Sequence, residues 1–492
     1  MAVKRAALVL ALAMLAGAAG AQEIVTKQFD DGGVYQGTFR NGRQHGQGTY
    51  TLPSGYEYSG DWVDGQILGK GRARYPDGAV YEGQFVNGEP SGRGKIVFAN
   101  GGTYDGDWVD GQMSGQGTAT YANNSTYVGG FLNGMHQGKG VLTLDGGYVY
   151  DGDWENGVKS GEGKITYADG TVYQGGMRDG QRSGQGKLTR PDGLVYEGMW
   201  AAGQMNGDGK LTQPVGDTYE GRMANGKREG QGKVTYANGD TYVGGFAQDK
   251  RQGKGIFTGT DGFVYEGDWV DGRMEGEGRI TYPDGSVYQG ALKADLPEGK
   301  GKITYPDGAT YEGNWVAGVI EGEGKANYAN GLVYEGGFRN ARNEGQGRMT
   351  YPDGYVYSGA WREGQRDGEG QATYPDGTTY TGSFVKGLRE GRGRLIMPDG
   401  FTYDGSWKAG ELDGEGVATY ANGDVYEGNF VMGKRQGQGT MRYRSGAVAQ
   451  GEWNDNVLTE NGQGAAPAGQ DQPSPVPPSE PATPQAATPP AQ

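Results

Sequence analysis

The chain has 492 residues, with 101 glycines, 20 prolines, no cysteine and a formal net charge of −15. Glycine at about three times ordinary usage argues against a string of ordinary globular domains. The missing cysteines exclude disulfides, thiolate metal sites and cysteine nucleophiles, and the acidic balance makes nucleic acid a poor partner.

Residues 1–21 come first. Lys4 and Arg5 precede an apolar run, Ala6–Ala16, and Ala19-Gly20-Ala21 has the small-residue pattern of a cleavage site. The segment is therefore expected to be a secretory signal, too short to span a membrane, with the mature chain starting at Gln22. Losing two positive charges with it takes the formal charge from −15 to −17. The protein is accordingly expected to be exported, either periplasmic or extracellular at the cell surface. Residues 22–32 form a lead-in.

From 33 to 461 the chain repeats. Tyr35-Gln36-Gly37-Thr38-Phe39 returns as Tyr58-Ser59-Gly60-Asp61-Trp62, then as Tyr81-Glu82-Gly83-Gln84-Phe85, and so on every 23 residues to Tyr426-Glu427-Gly428-Asn429-Phe430. A nineteenth copy, Ala449-Gln450-Gly451-Glu452-Trp453, has lost its tyrosine. Eleven residues after each tyrosine stands Gly-x-Gly, as at Gly46/Gly48 and Gly69/Gly71, and a turn such as Pro76-Asp77-Gly78 closes most units. Both cassettes have strand period. Tyrosine, glycine and the second aromatic occupy alternate positions and share one face of a strand. Asp-Gly and Asn-Gly between such runs signal hairpins.

The spacing thus predicts an all-β fold: an elongated, single-layer antiparallel meander of about 19 hairpins, twisted into a ribbon and solenoid-like in its repetition. A single layer must cover its own apolar face. Glycine at alternate positions lets aromatic rings lie flat along the sheet, as aromatics do beside strand glycines. The structural aromatics are then Tyr58, Trp62, Tyr104, Trp108, Tyr150 and Trp154, with Tyr265, Trp269, Tyr311, Trp315, Tyr403 and Trp407 further on. The matching glycines are Gly60, Gly69, Gly71, Gly106, Gly115 and Gly117. On the opposite face, acids such as Glu82 and Glu197 one residue after the tyrosine should face bases such as Arg72 and Lys187 in a cross-strand ladder. The tail, 462–492, holds nine prolines among Ala, Gln, Ser and Thr, and is expected to be disordered, extended and mobile, a spacer or a partner-binding segment.

Nothing in the pattern requires catalysis or a cofactor. The Gly-x-Gly pairs lack the following helix of a dinucleotide loop. Asp105, Asp107 and Asp110 resemble half a calcium loop but lack its bidentate glutamate. His45 and His136 are expected in loops as exposed turn residues rather than metal ligands. No nucleophile stands beside a base.

With the residues from Tyr35 to Trp453 in hand, the chain resembles the MORN repeat family: a Tyr-x-Gly-x-Trp/Phe strand, a Gly-x-Gly strand and an Asp/Asn-Gly turn about every 23 residues. The resemblance implies a twisted ribbon of hairpins serving as scaffold or docking platform. Taken with the signal, it leads to a non-catalytic structural or interaction scaffold in the cell envelope, binding protein partners or itself. A cell-wall glycan- or lipid-binding module is the alternative.

Overall fold

Strands follow from alternation, and glycine decides where they bend. The computed structural model describes residues 23–459, 462–464 and 474–482; the expected signal segment 1–21 lies outside the described residues. The described residues form 39 strands and no helix, and every described pairing is antiparallel. Two compact units divide the chain after Gly230. In the first, an edge strand Val25–Gln28 is followed by hairpins such as Val34–Arg40 with Arg43–Thr51 and Glu57–Val63 with Gln66–Arg74. In the second, the same hairpins run from Thr241–Ala247 to Val448–Asn454. Within each unit consecutive strands are neighbours, giving an open meander that does not close into a barrel.

Two connections alternate. Inside a repeat, two residues with positive φ make the turn, as Asp64 (51°) and Gly65 (94°) do between the paired Val63 and Gln66. This is the type I′ geometry that suits a twisted hairpin. Between repeats, three residues suffice. Gly78 (φ 90°) donates its N–H to the Tyr75 carbonyl at 3.0 Å, and the Asp77 carboxylate accepts from Ala79 N at 2.9 Å. The tightness of the first turn corrects the placing of the histidines. It consumes only two residues, so His45 and His136 fall in the strands Arg43–Thr51 and Met135–Thr143, not in loops.

The glycine pairs make a floor for the tyrosines. Gly60 faces Gly71, and a Cβ on Gly71 would stand 2.4 Å from the Tyr58 ring. That ring lies over both glycines and its hydroxyl donates to the Asp61 carbonyl at 3.0 Å. The first glycine of each Gly-x-Gly marks a bulge. At Gly69 (φ 115°) the register shifts between Gly60 and Trp62, and the Asp61 carboxylate accepts the Lys70 N–H at 2.8 Å. Cover for the apolar face comes from neighbouring repeats. Tyr58 meets its own Trp62 edge-on at 5.6 Å and the next repeat's Phe85 at 5.0 Å. Such ring pairs contribute about 0.5–1.5 kcal/mol each beyond area. Trp62 Nε1 donates back to the carbonyl of Gly48 at 3.2 Å, and all nine tryptophans repeat this bond, down to Trp453 on Gly439. The six tyrosines singled out above have no exposed surface, and their tryptophans at most 6%.

The nineteenth copy closes the array. Val448–Asn454 pairs with Val457–Leu458, and Gln450 exchanges both backbone hydrogen bonds with Gln463. Gly462 takes the place of a floor glycine beside Gly451, and the Leu458 side chain lies against Gly462.

Candidate docking faces

Alternation gives each hairpin a polar face and an aromatic face. On the polar face the ladder forms as expected: Lys187 stands across from Glu197, Glu197 from Lys210, and Lys210 from Glu220. The contacts Lys187–Glu197 (3.3 Å) and Lys210–Glu220 (2.7 Å) join exposed side chains, worth about 0.2–1 kcal/mol each. In the second unit this face lines a groove of about 1130 Å³ between Lys300, Lys302, Glu312, Glu323, Lys325 and their neighbours. Asp107, one of the acids suggestive of calcium, serves the sheet, and Asp153 two repeats on does the same. Asp107 accepts the bulge N–H of Gln116 at 2.9 Å and meets Arg93 at 3.4 Å. Asp153 accepts from Glu162 N and meets Lys139 at 2.7 Å; that lysine holds its carboxyl below the usual carboxylate range. Among the described residues, no cluster of three or more His, Asp or Glu could hold a metal ion, and no helix is long and apolar enough to cross a membrane.

The aromatic face carries one variable position, nine residues after the tyrosine and directly across from the second aromatic. Met113 stands there opposite Trp108, Arg366 opposite Trp361, and Arg389 opposite Phe384. Arginine in this position has a fixed posture. Arg182 lies 4.2 Å over the Trp200 ring and donates to the Gly203 carbonyl at 2.6 Å. Arg366 donates likewise to Gly387 O, and Arg389 to Gly410 O, each at 2.9 Å. His136 occupies the position too. It stacks on Tyr127 at 3.6 Å, bonds the Tyr121 hydroxyl through Nε2 at 2.6 Å, and burial pushes its pKa down to about 4.

Residues 474–482 of the tail lie on this face without strand or helix structure. The expectation of a mobile spacer does not describe this segment, because its one carboxylate finds two buried arginines. Arg366 Nη1 meets Glu480 Oε2 at 2.9 Å and Arg389 Nε lies 3.6 Å from Oε1. All three side chains are at most 4% exposed. Tyr355 donates its hydroxyl to Oε2 at 2.8 Å and Tyr374 donates to Oε1. On either side the tail's carbonyls are held: Arg389 donates to Pro478 O (2.8 Å), Arg366 to Pro481 O (3.0 Å) and Tyr351 to Ala482 O (3.2 Å). Further back, the Tyr420 and Ser474 hydroxyls are 3.3 Å apart. The remaining tail residues, 465–473 and 483–492, lie outside the described residues.

Of the glycines singled out in the sequence, Gly60, Gly71, Gly106 and Gly117 face a tyrosine ring, whereas Gly69 and Gly115 do not: they sit at the bulges, where a Cβ would meet Asp61 or Asp107. Sequence reasoning also passed over Arg366 and Arg389. Their signal was present: two successive repeats with arginine at the variable position, each with a tyrosine 11 or 15 residues upstream.

Comparison with known proteins bears on the fold. No curated protein matches the chain in sequence. Among solved structures it is similar to the TCP domain of Drosophila melanogaster SAS-4, described in complex with a proline-rich motif of Ana2, at 17% identity and TM-score 0.21, over 35% of this chain and 87% of that one. It is also similar to the TCP10 domain of Danio rerio CPAP bound to a STIL peptide, at 14% identity and TM-score 0.16, over 55% and 93%. A streptogramin B lyase aligns at 11% identity and TM-score 0.11, over 59% and 90%. Scores this low carry no argument about this chain. The MORN repeat family model, by contrast, matches consecutive segments from 35–55 to 426–448, eighteen in all, over most of the chain. With the glycine floor, the ring ladder and the 23-residue hairpin repeating through those same segments, the chain belongs to the MORN repeat family.

Proposed function

We propose that this protein is a non-catalytic docking scaffold, exported to the cell envelope, whose repeats hold protein partners. One observation carries the reading: an unchanging backbone register presents, once per repeat, a side chain whose identity varies along the array. Met113, His136, Lys159 and Arg182 follow one another at the variable position in the first unit, each 23 residues after the last. A fixed frame with a variable contact suits recognition, and repetition multiplies weak contacts by raising effective concentration. The glycan alternative rested on accessible tyrosine and tryptophan rings. The tyrosines and tryptophans of the Tyr-x-Gly-x-Trp cassettes are buried and their indole N–H groups already donate to backbone carbonyls, while rings outside the cassettes, such as Tyr121, are exposed.

Chemical crosslinking of the full chain to envelope fractions, read by mass spectrometry, tests the scaffold. Crosslinks from a subset of repeats to envelope proteins are expected. Retention by sacculi or vesicles after their proteins have been digested, without protein crosslinks, would replace this reading with glycan or lipid binding. Export is tested separately by fusing the first forty residues to a phosphatase active only outside the cytoplasm; an inactive fusion would end that part of the reading.

A further inference from the structure

We propose that Arg366 and Arg389, with Tyr355 and Tyr374, form a recognition site for an extended, proline-flanked glutamate. The chain's own Glu480 fills the site, and a partner segment of the same chemistry fills it in trans. The inference rests on the docking reading above and specifies the partner's chemistry.

Convergence of donors makes the site selective. Two guanidinium groups and two phenolic hydroxyls surround the two oxygens of one carboxylate. An ionised carboxylate has enough lone pairs for all of them, whereas an amide in its place would set an NH₂ group against donors. Two cations face one anion, so the site without Glu480 carries an uncompensated double positive charge. That charge selects against neutral and cationic segments. Proline suits the flanks. Each arginine uses a second N–H on a tail carbonyl, of Pro478 or Pro481, and these residues have no backbone N–H of their own to leave unsatisfied on the aromatic floor. A proline-rich segment is already extended and loses little conformational freedom on docking.

The repeats do not need the tail. Arg182 makes the same carbonyl bond, and stacks on its tryptophan as Arg389 does, in a unit to which residues 474–482 do not belong. Residues 474–482 are held through side chains of the repeats and make no ladder pairing with them, so their release breaks no sheet. A tether of this length supplies a local concentration on the order of millimolar, so a free segment must outcompete it.

The probe is a fluorescent peptide of the sequence Ser474–Ala482, its anisotropy followed on addition of the full chain. Glu480→Gln, which frees the site without touching the repeats, is expected to bind the peptide at least about tenfold more tightly than the unaltered chain does, given the loss of that local competitor. A peptide with glutamine for its glutamate should lose at least about tenfold in affinity, the scale of a charge-assisted hydrogen bond. Adding Tyr355→Phe to Glu480→Gln should weaken the peptide severalfold with tryptophan emission and melting midpoint unchanged. Arg366→Met in the same background should abolish binding; the tyrosine variant keeps the test valid if that protein does not fold. Equal binding by the unaltered chain and Glu480→Gln, absence of binding by both, or indifference to the glutamine peptide would overturn the proposal. Envelope-protein crosslinks that persist alongside such a failure would leave the docking scaffold standing and remove only this site.

Discussion

Between Tyr104 and His136 in the first unit, and between Tyr357 and Arg389 in the second, the backbone does the same things. Gly106 faces Gly117 as Gly359 faces Gly370, and Gly134 N reaches Met113 O at 2.9 Å as Gly387 N reaches Arg366 O at 2.9 Å. On the aromatic face the contact is set by the side chains at the variable position and at the entry to the repeat, which differ. Met113 and Gly102 stand where the second region has Arg366 and Tyr355, and Met113 there lines an apolar groove of about 630 Å³ with Tyr75, Phe98 and Trp108. His136 copies Arg389 closely. It bonds the hydroxyl of Tyr121 at 2.6 Å, as Arg389 does that of Tyr374 at 3.2 Å, and lies 4.7 Å from Trp154, as Arg389 lies 4.7 Å from Trp407. One region holds a carboxylate and the other offers an apolar floor. The repeat therefore separates its two tasks: glycine and the paired aromatics make the frame, and a few other positions make the contact.

The comparison breaks most sharply at the shared frame. Gly117→Val and Gly370→Val would each drive a side chain into a tyrosine ring, with a Cβ 2.3 Å from Tyr104 or 2.5 Å from Tyr357. Each should destabilise its unit by about 1–3 kcal/mol in denaturant titration, and by similar amounts. Tolerance at one site alone would show that the frames are not equivalent.

The next effect sharpens the contact. Because the chain has no cysteine, a nitroxide on Val476→Cys, a well-exposed tail position, reports on the tail alone. Arg389→His makes the second region resemble the first and should free the spin label at neutral pH, since a neutral imidazole leaves Glu480 short of a cation. An unchanged line shape would mean that the tail is held by its prolines alone.

Alkali gives a smaller, graded difference. Burial pushes the phenols of Tyr104 and Tyr127 up to about 12, and those of Tyr357 and Tyr380 further up. The unfolded chain ionises its tyrosines at about 10, so stability is complete below that pH and is lost as pH rises through the folded values. Both regions should lose amide protection in step as pH rises above 10, and beyond about 12 the second should go on losing stability after the loss in the first has levelled off. Equal loss throughout that upper range would contradict the difference in burial.

Acid should produce the least effect. With its folded pKa depressed to about 4 against an unfolded value of about 6.5, His136 contributes stability present above 6.5 and lost as pH falls through 4. His136→Gln should flatten that part of the acid profile of the first region and leave the second unaltered. Paired melting curves at pH 7 and pH 4 would show it.

How much was legible follows from what repeats. Tyr58, Trp62 and Gly71 recur in register, so their shared face could be read from spacing, and the volume left by Gly71 could be assigned to a ring. The polar ladder was equally readable, because Lys187 and Glu197 differ by a register that the hairpin dictates. The histidines were misplaced for want of one geometric fact: a type I′ turn takes two residues, which puts His45 and His136 inside strands. The arginine pair was missed for a different reason. Arg366 and Glu480 are 114 positions apart in the chain, in segments of unlike composition, and no periodicity joins a repeat to a tail. Only the folded chain brings them to 2.9 Å.

The imperfect nineteenth copy bears on how copies of this protein can assemble. A last strand with unpaired amides would invite another molecule to add on, and then another, into a fibre. Here that rim already has a mate: Gln463 has taken both backbone bonds of Gln450, and Leu458 sits over Gly462 where a tyrosine ring would otherwise be needed. Polymerisation from this end must first peel away the chain's own hook.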